Sequence, residues 1–204
     1  MGGKNIGPYG ELEDRQVMAA YAGGDENAFR ELFQRYAPRL FGYLNGMCRD
    51  RESARDMVQE TFLRVHRSRD RYDPERPFRP WLFRIATNVH NDRHKSWIEV
   101  LARRTRSLFD PDLKEGNEPA APERARPDRR AERTVMTERL TRELAALPRA
   151  YRQVLLLRDG QELTCRETAE ALGRPVGTVL SLVWRGRRLL RESLERKGGR
   201  DSWV

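Results

Sequence analysis

The chain has 204 residues, a formal net charge of +9 and only two cysteines. This length allows one large domain or two small ones, and the basic balance favours an anionic partner, most often nucleic acid. Two distant cysteines, Cys48 and Cys165, argue against a disulfide framework and fit a reducing compartment. No stretch approaches the roughly 20 apolar residues of a membrane span, and the first residues lack an apolar signal segment. We therefore expect a cytoplasmic protein without membrane insertion.

Three zones follow one another along the chain. Helical periodicity fills residues 11–97 and returns at 134–197. Between them, residues 98–133 are rich in proline and in charges of both signs and lack an apolar stripe, which is typical of a flexible linker. Residues 1–10 and 198–204 are expected to form a flexible N-terminus and a C-terminal tail. Because no β-type alternation occurs, the sequence predicts an all-α fold of two small helical domains joined by that linker.

Three amphipathic helices are predicted in the first zone. Asp25 can cap the first, in which Pro38 should cause a bend or a break. The second covers about 52–69 and the third about 81–97, with a proline-rich segment between them. The helix-breaking residues of that segment are Pro74, Pro77 and Pro80. The apolar face of the first helix consists of Phe29, Leu32, Phe33, Tyr36, Leu40, Phe41 and Leu44.

Polar residues of the second helix recur at helical spacing. Asp56, Gln59 and Glu60 can share one exposed face. Carboxylate and amide groups on such a face can bond arginines of a partner helix. From the pattern alone, a solvated polar face is the simpler interpretation.

The third zone ends in a predicted helix-turn-helix. Thr164 and Glu167 form a capping box at the start of one helix, Gly173 can close it, and Pro175 lies in the turn. The following helix has the layout of a recognition helix that enters the major groove. Its predicted buried stripe consists of Val176, Val179, Val183, Gly186, Leu190 and Leu194. Its predicted outward residues are Thr178, Ser181, Trp184, Arg185 and Arg188.

Several strings resemble a known family. ARDMVQETFLRVHRS and RPFRPWLFRIATNVHNDRHK resemble region two of bacterial sigma factors, and RAYRQVLLLRDGQELTCRETAEALGRPVGTVLS resembles their region four. With only these two regions and a short linker, the chain resembles the extracytoplasmic-function (ECF) subfamily. The motifs occur in the family's order and cover nearly the whole chain outside the linker and termini. The first zone would then be region two, and the third zone region four.

The resemblance assigns roles to region-two residues. It implies that the second helix docks on a coiled coil of the RNA polymerase β′ subunit, through Asp56, Gln59, Glu60 and Leu63. It also implies that the third helix opens and reads the minus-ten element. Asn88 matches a base-contact position there, and Arg84, Arg93 and Lys95 would hold phosphates, with Asp92 among them. Trp81 shares the apolar stripe, which favours a core position over a stacking platform.

Region four is implied to bind the minus-thirty-five element. The residues that would contact it are Thr178, Ser181, Leu182, Trp184, Arg185 and Arg188. Leu180 and Leu182 depart from the family's basic-Ser-basic pattern. They could alter the base readout through thymine methyls, enlarge an apolar surface for a protein partner, or leave the arginines to grip phosphates with little sequence choice. The first interpretation is slightly favoured.

The resulting hypothesis is a transcription initiation factor, not an enzyme, with no catalytic residue, cofactor or metal. Its partners would be core RNA polymerase, through the β′ and β subunits, promoter DNA, and an anti-sigma factor that the family resemblance implies. One alternative is an autonomous helix-turn-helix regulator that binds DNA without polymerase. Another is a metal-dependent nuclease, because His90 and His94 have the i, i+4 spacing of helical metal ligands. Exposed histidines beside phosphate-binding arginines are the simpler account of that pair.

Overall fold

A computed structural model describes the backbone at residues 9–106 and 131–198, and the side chains at 9–96 and 138–196. All regular structure in these ranges is helical, which confirms the predicted all-α class. The helices are α1 (Asp14–Ala22), α2 (Glu26–Cys48), α3 (Arg51–Arg67), α4 (Phe78–Arg106), α5 (Ala131–Ala146), α6 (Arg149–Leu155), α7 (Cys165–Leu172) and α8 (Val176–Gly198). A 3₁₀ turn covers Arg69–Arg71 and a π-helical turn Leu156–Gly160. Most of the predicted linker and of both predicted termini lies outside the described residues.

The first two helices differ from the prediction. Helix α1 is not among the predicted elements, although it buries Val17, Met18 and Tyr21. Helix α2 continues through Pro38, so a break there is wrong, and the alternative expectation of a bend stays a prediction. Proline removes the hydrogen bond to the carbonyl four residues earlier, here that of Gln34. Both Pro38 and Gln34 are exposed, so water can take the place of the missing donor while the apolar face stays packed.

Helix α4 is longer than predicted at both ends. It begins at Phe78, which places Pro80 inside the first turn instead of before the helix. The amides of a first turn have no partner within the helix, so a proline is tolerated there. At the other end the helix continues to Arg106, into the segment predicted as linker. Helix α3 ends at Arg67, two residues earlier than predicted.

The larger hydrophobic core is shared between the two halves of the chain. Helices α1 to α4 supply most of it, with Leu44 and Phe83 fully buried at its centre. Leu157, Leu163 and Ala171 from the C-terminal half belong to the same cluster. A second, smaller core lies within the C-terminal half and consists of Leu147, Val154, Leu155, Ala169, Val179 and Val183.

Polar contacts reinforce this junction. The Arg152 guanidinium donates to the Met47 carbonyl oxygen at 2.9 Å, at the end of α2. Arg79 of α4 donates to the Gln161 carbonyl oxygen. At Gly46 an added Cβ would come within 2.8 Å of Leu156 Cδ2, so the absence of a side chain there permits the close approach. The two halves are therefore not only linked along the chain but packed directly on each other.

Candidate nucleic-acid and protein interfaces

Helix α3 presents the predicted polymerase-binding residues on its outer side. Asp56, Gln59 and Leu63 are exposed, and Glu60 is half-buried. The Asp50 carboxylate caps the helix by accepting from the Ser53 amide at 2.9 Å, which fixes where the helical register starts. The face is mixed in character, because the Leu63 side chain is 50% exposed between polar neighbours.

The two acidic residues of this face already have basic partners. Asp56 accepts from Arg93 of α4 at 3.2 Å, and Glu60 accepts from Arg64 at 2.8 Å. Arg64 also reaches Asp92 of α4 at 2.7 Å. These carboxylates raise the pKa of Arg64 and keep it charged. Exposed pairs of this kind contribute little stability, but here they connect the predicted polymerase face to the predicted minus-ten face.

An aromatic ring extends the apolar part of this side of the molecule. Phe33 of α2 is 41% exposed, although the sequence predicts it as part of a buried face. Its ring centroid lies 4.7 Å from that of Phe62, the residue before Leu63 in α3. The spacing of apolar residues in α2 did not reveal this exposure. Spacing predicts which residues share a face, but not how much of that face the neighbouring helices cover.

The predicted minus-ten residues all lie on the exposed surface of α4. They are Arg84, Asn88, Asp92, Arg93 and Lys95. Asn88 lines an open depression together with Arg64, Arg67, Ser68 and Ile85. Arg64, Arg67 and Ser68 at the end of α3 are not among the minus-ten residues that the sequence predicts. The basic residues in the last turn of α3 are the signal that could have identified this part of the site. A depression with an amide and two guanidinium groups suits an extruded base and its phosphate.

Trp81 belongs to the core, as predicted. It is partly buried, and its ring lies 5.1 Å from Tyr72 and 5.9 Å from Phe78 between centroids. These rings hold the loop between α3 and α4 against the start of α4. Trp81 is therefore held among these rings, which favours its core position over a role as a stacking platform.

His90 is buried, so its interpretation as an exposed neighbour of phosphate-binding arginines is wrong. Its side chain is 5% exposed, and Nδ1 lies 3.2 Å from the Arg149 guanidinium of the C-terminal half. Burial, with added repulsion from Arg149 and His94, lowers the pKa of His90 to about 4. A neighbouring guanidinium also disfavours a metal cation at this pair. Among the described side chains, no three His, Cys, Asp or Glu residues are grouped to hold a metal ion.

The depressed pKa of His90 predicts an acid-sensitive junction. Between pH 6.5 and 4 the unfolded chain takes up a proton at this residue while the folded protein does not, so stability present above pH 6.5 is lost as the pH falls. At pH 5 the loss relative to pH 7 should be about 2 kcal/mol. Urea unfolding at both pH values measures it, and His90→Gln should lack this part of the pH dependence. An identical pH dependence in both proteins would contradict the assignment.

The helix-turn-helix forms as the sequence predicts. Thr164 accepts from the Glu167 amide at 3.1 Å, and the Glu167 carboxylate accepts from the Thr164 amide at 2.7 Å. Gly173 closes α7 with φ at +61°, a left-handed conformation that favours glycine. The capping box starts α7 at Cys165, and the left-handed Gly173 ends the helix before the turn that leads to α8.

Most predicted minus-thirty-five residues are exposed on α8. Thr178, Ser181, Trp184, Arg185 and Arg188 face solvent. Leu182 is the exception. It is half-buried and packs against the second core, and its assignment to DNA contact stays a prediction.

Two further apolar residues of α8 are exposed to solvent. Val176, predicted to be buried, is 41% exposed, and Leu180 is 53% exposed. Val179 and Val183 are buried as predicted. The buried side of α8 therefore starts at Val179, about one turn after the helix begins. Leu180 and Leu182 thus lie in different surroundings.

These features define a helical protein with one candidate protein-docking helix and two candidate DNA-binding helices. The comparisons with known proteins agree. The sigma-70 region 2 model matches residues 32–98, and the sigma-70 region 4 model matches residues 137–190. SigW of Bacillus subtilis, an ECF RNA polymerase sigma factor, is 30% identical over 84% of this chain and 91% of its own. The chain belongs to the ECF sigma factors of the sigma-70 family.

Two other relatives agree with this membership. The sigma factor CarQ of Myxococcus xanthus is 44% identical over 43% of this chain, a match that spans 51% of CarQ. The structure of CnrH, a sigma factor of Cupriavidus metallidurans, in complex with the cytosolic domain of CnrY matches with a TM-score of 0.66. It is 27% identical and covers 90% of this chain and 97% of CnrH. The membership confirms the predicted family, and with it a transcription initiation factor that acts with core RNA polymerase and promoter DNA.

No helix within the described ranges combines the length and the apolar character needed to span a membrane.

Proposed function

We propose that the protein docks on core RNA polymerase through the outer side of α3, reads the minus-ten element with α4 and reads the minus-thirty-five element with α8. The observation that carries this assignment is the pair of ion contacts from α3 to α4, Asp56 to Arg93 and Arg64 to Asp92. They bring the proposed polymerase-docking residues beside the depression at Asn88, which supports the proposal. A sigma factor needs this adjacency, because polymerase must receive the strand that is opened.

Each surface suits its ligand chemically. Asp56 and Gln59 offer a carboxylate and an amide to partner arginines, with Leu63 adding apolar contact. In the depression, Asn88 can bond the edge of an extruded base, and Arg64 and Arg67 can bind phosphates. Arg84, exposed on the same helix as Asn88, can bind a further phosphate. On α8, Ser181, Arg185 and Arg188 reach the major groove and its backbone. The boundaries of region two and region four, as the sequence predicts them, belong to this proposal.

The packed arrangement of the two halves has to open for this function. The minus-ten and minus-thirty-five elements are, by their names, about 25 base pairs apart, which is about 85 Å along duplex DNA. A molecule whose halves share one core cannot contact both. The Arg152–Met47 contact and the burial of Leu157 in the N-terminal core therefore have to be given up when the protein enters a promoter complex.

An anti-sigma factor is the proposed regulator, and the cytoplasm the proposed location. The CnrH relative was solved with the cytosolic domain of a second protein bound to it, which supports a protein partner for this chain as well. Exposed apolar side chains at Phe33 and Leu63 adjoin the proposed polymerase face. A partner that covers them would block docking directly.

Run-off transcription tests the proposal. Purified core polymerase is supplied with a pool of promoter fragments, with and without this protein. We expect transcripts from a defined subset of promoters only when the protein is present. Tight binding of the free protein to duplex DNA, with no promoter-specific transcript, would contradict the proposal and favour an autonomous regulator.

A further inference from the structure

Helix α8 carries an exposed apolar stripe that the family's basic-Ser-basic pattern does not predict. Val176, Leu180 and Trp184 are 41%, 53% and 63% exposed. They stand four residues apart, so they fall on one side of the helix over its first two and a half turns. We call these three residues the apolar stripe.

The stripe is separate from the core of the C-terminal half. The adjacent side of α8 packs inward through Val179 and Val183, which are 0% and 7% exposed. Gly186 lets α6 approach closely, since a Cβ there would lie 3.2 Å from the Tyr151 Cβ. The contact between the two halves of the chain does not cover the stripe either, because these exposed fractions are those of the molecule with both halves packed together. Its occupant therefore comes from outside the described part of the chain.

The positive charge around the stripe favours an anionic ligand. Helix α8 contains six basic and two acidic residues. Arg185 and Arg188 flank the stripe and are exposed, and the Arg188 guanidinium lies 5.8 Å from the centre of the Trp184 ring. Arg187 is held by Asp159 at the edge of the helix. An apolar strip bordered by arginines on an exposed recognition helix fits duplex DNA better than an apolar peptide.

The chemistry of the major groove indicates which group of the DNA the stripe can contact. Valine and leucine cannot donate or accept hydrogen bonds, and the C5-methyl of thymine is the apolar group that the major groove offers. Four residues of helix advance about 6 Å, close to two base-pair steps of about 3.4 Å each. Val176 and Leu180 can therefore meet methyl groups two base pairs apart. Both lie in the N-terminal part of the recognition helix, which contacts base edges in helix-turn-helix proteins.

We propose that Val176 and Leu180 read thymine methyl groups in the upstream promoter element, with Trp184 and Arg188 closing the stripe against the neighbouring backbone. The inference rests on the proposed function of α8 and names what that helix selects. It gives Leu180 a positive role in specificity in place of the basic residue common in the family.

Uracil substitution tests the proposal, because uracil differs from thymine only by the missing methyl group. Holoenzyme assembled from core polymerase and this protein first selects upstream elements from a randomised promoter pool. Each selected thymine is then replaced by uracil, and holoenzyme affinity is measured on matched duplexes. Burial of one methyl group is worth about fourfold in affinity, so we expect two positions, two base pairs apart, to lose about that factor each.

Variants connect the effect to the stripe. Leu180→Ala should weaken binding to the thymine duplex by a similar factor and remove the thymine–uracil difference at one position. Val176→Ala should do the same at the other position. Leu140→Ala is the matched control, since Leu140 is a 40% exposed leucine on α5, a helix whose hydrogen bonds to α8 are at Ser193 and Leu194, beyond the stripe. It should leave both duplexes unaffected.

The outcomes separate this inference from the proposed function. Promoter-specific binding that is insensitive to uracil, or Leu180 variants that weaken thymine and uracil duplexes equally, would overturn the thymine assignment and leave the promoter-reading function standing. The second result would assign the stripe to another occupant, such as a protein partner. If the holoenzyme selects no upstream element at all, the inference and the role of α8 in promoter reading both fail.

Discussion

Replacing Asp56 and Gln59 together by alanine should weaken the complex with core RNA polymerase by at least about tenfold, because each hydrogen bond to a charged partner contributes roughly 1.5–3 kcal/mol. Both side chains are exposed and free of the core, so the variant should fold normally. Affinity is measured by titrating labelled protein with core polymerase in the absence of DNA.

The DNA-free assay matters because Asp56 is paired with Arg93, a proposed minus-ten residue, at 3.2 Å. A change at Asp56 also releases Arg93, and a transcription assay alone would mix the two effects. Asp70→Ala serves as the control, since it removes an exposed carboxylate from the turn after α3. Unchanged core affinity in the Asp56, Gln59 variant would show that α3 docks through other residues.

Leu157→Ala should lower the free energy of unfolding by about 2–5 kcal/mol, the range for removing a buried leucine side chain. Leu157 is fully buried, and its neighbours belong to the core that the N-terminal half supplies. The cavity would therefore lie at the junction of the two halves, and the loss should appear as their separation. Urea unfolding gives the free energy, and small-angle X-ray scattering gives the radius of gyration.

Leu147→Ala provides a matched comparison for the junction. Leu147 is buried to a similar degree, but in the second core. Its loss should destabilise the C-terminal half without increasing the radius of gyration of the folded protein. If the two variants expand the molecule equally, or if Leu157→Ala costs less than about 1 kcal/mol, the shared core is not a feature of the protein in solution.

Local signals in the sequence predicted the local features well. The capping box at Thr164, the left-handed Gly173 and the buried Val179 and Val183 all depend on residues close together in the chain. The outer side of α3 followed from spacing in the same way. Residue type and helical periodicity are sufficient for such features because one turn of helix determines them.

Features that depend on distant partners were missed. The sequence cannot tell that Leu157 completes the N-terminal core or that His90 lies against Arg149, because the partners are far apart in the chain. Pro38 was misjudged for a related reason. Whether a proline interrupts a helix depends on which face it occupies, and here the exposed face leaves the packing of α2 intact.

Leu180 and Leu182 show the same limit of sequence-based prediction at the level of single residues. The family resemblance groups Leu180 and Leu182 as one departure from the basic-Ser-basic pattern. In the structure Leu182 packs against the second core, whereas Leu180 joins Val176 and Trp184 on the exposed stripe.

The central claim is that one chain reads two promoter elements through α4 and α8 while α3 holds polymerase. The most direct measurement is run-off transcription by the reconstituted holoenzyme on a promoter it selects, compared with templates in which the minus-ten or the minus-thirty-five element is scrambled. We expect the transcript to be lost when either element is scrambled. A transcript that survives scrambling of both elements, or that forms equally well without this protein, would contradict the account.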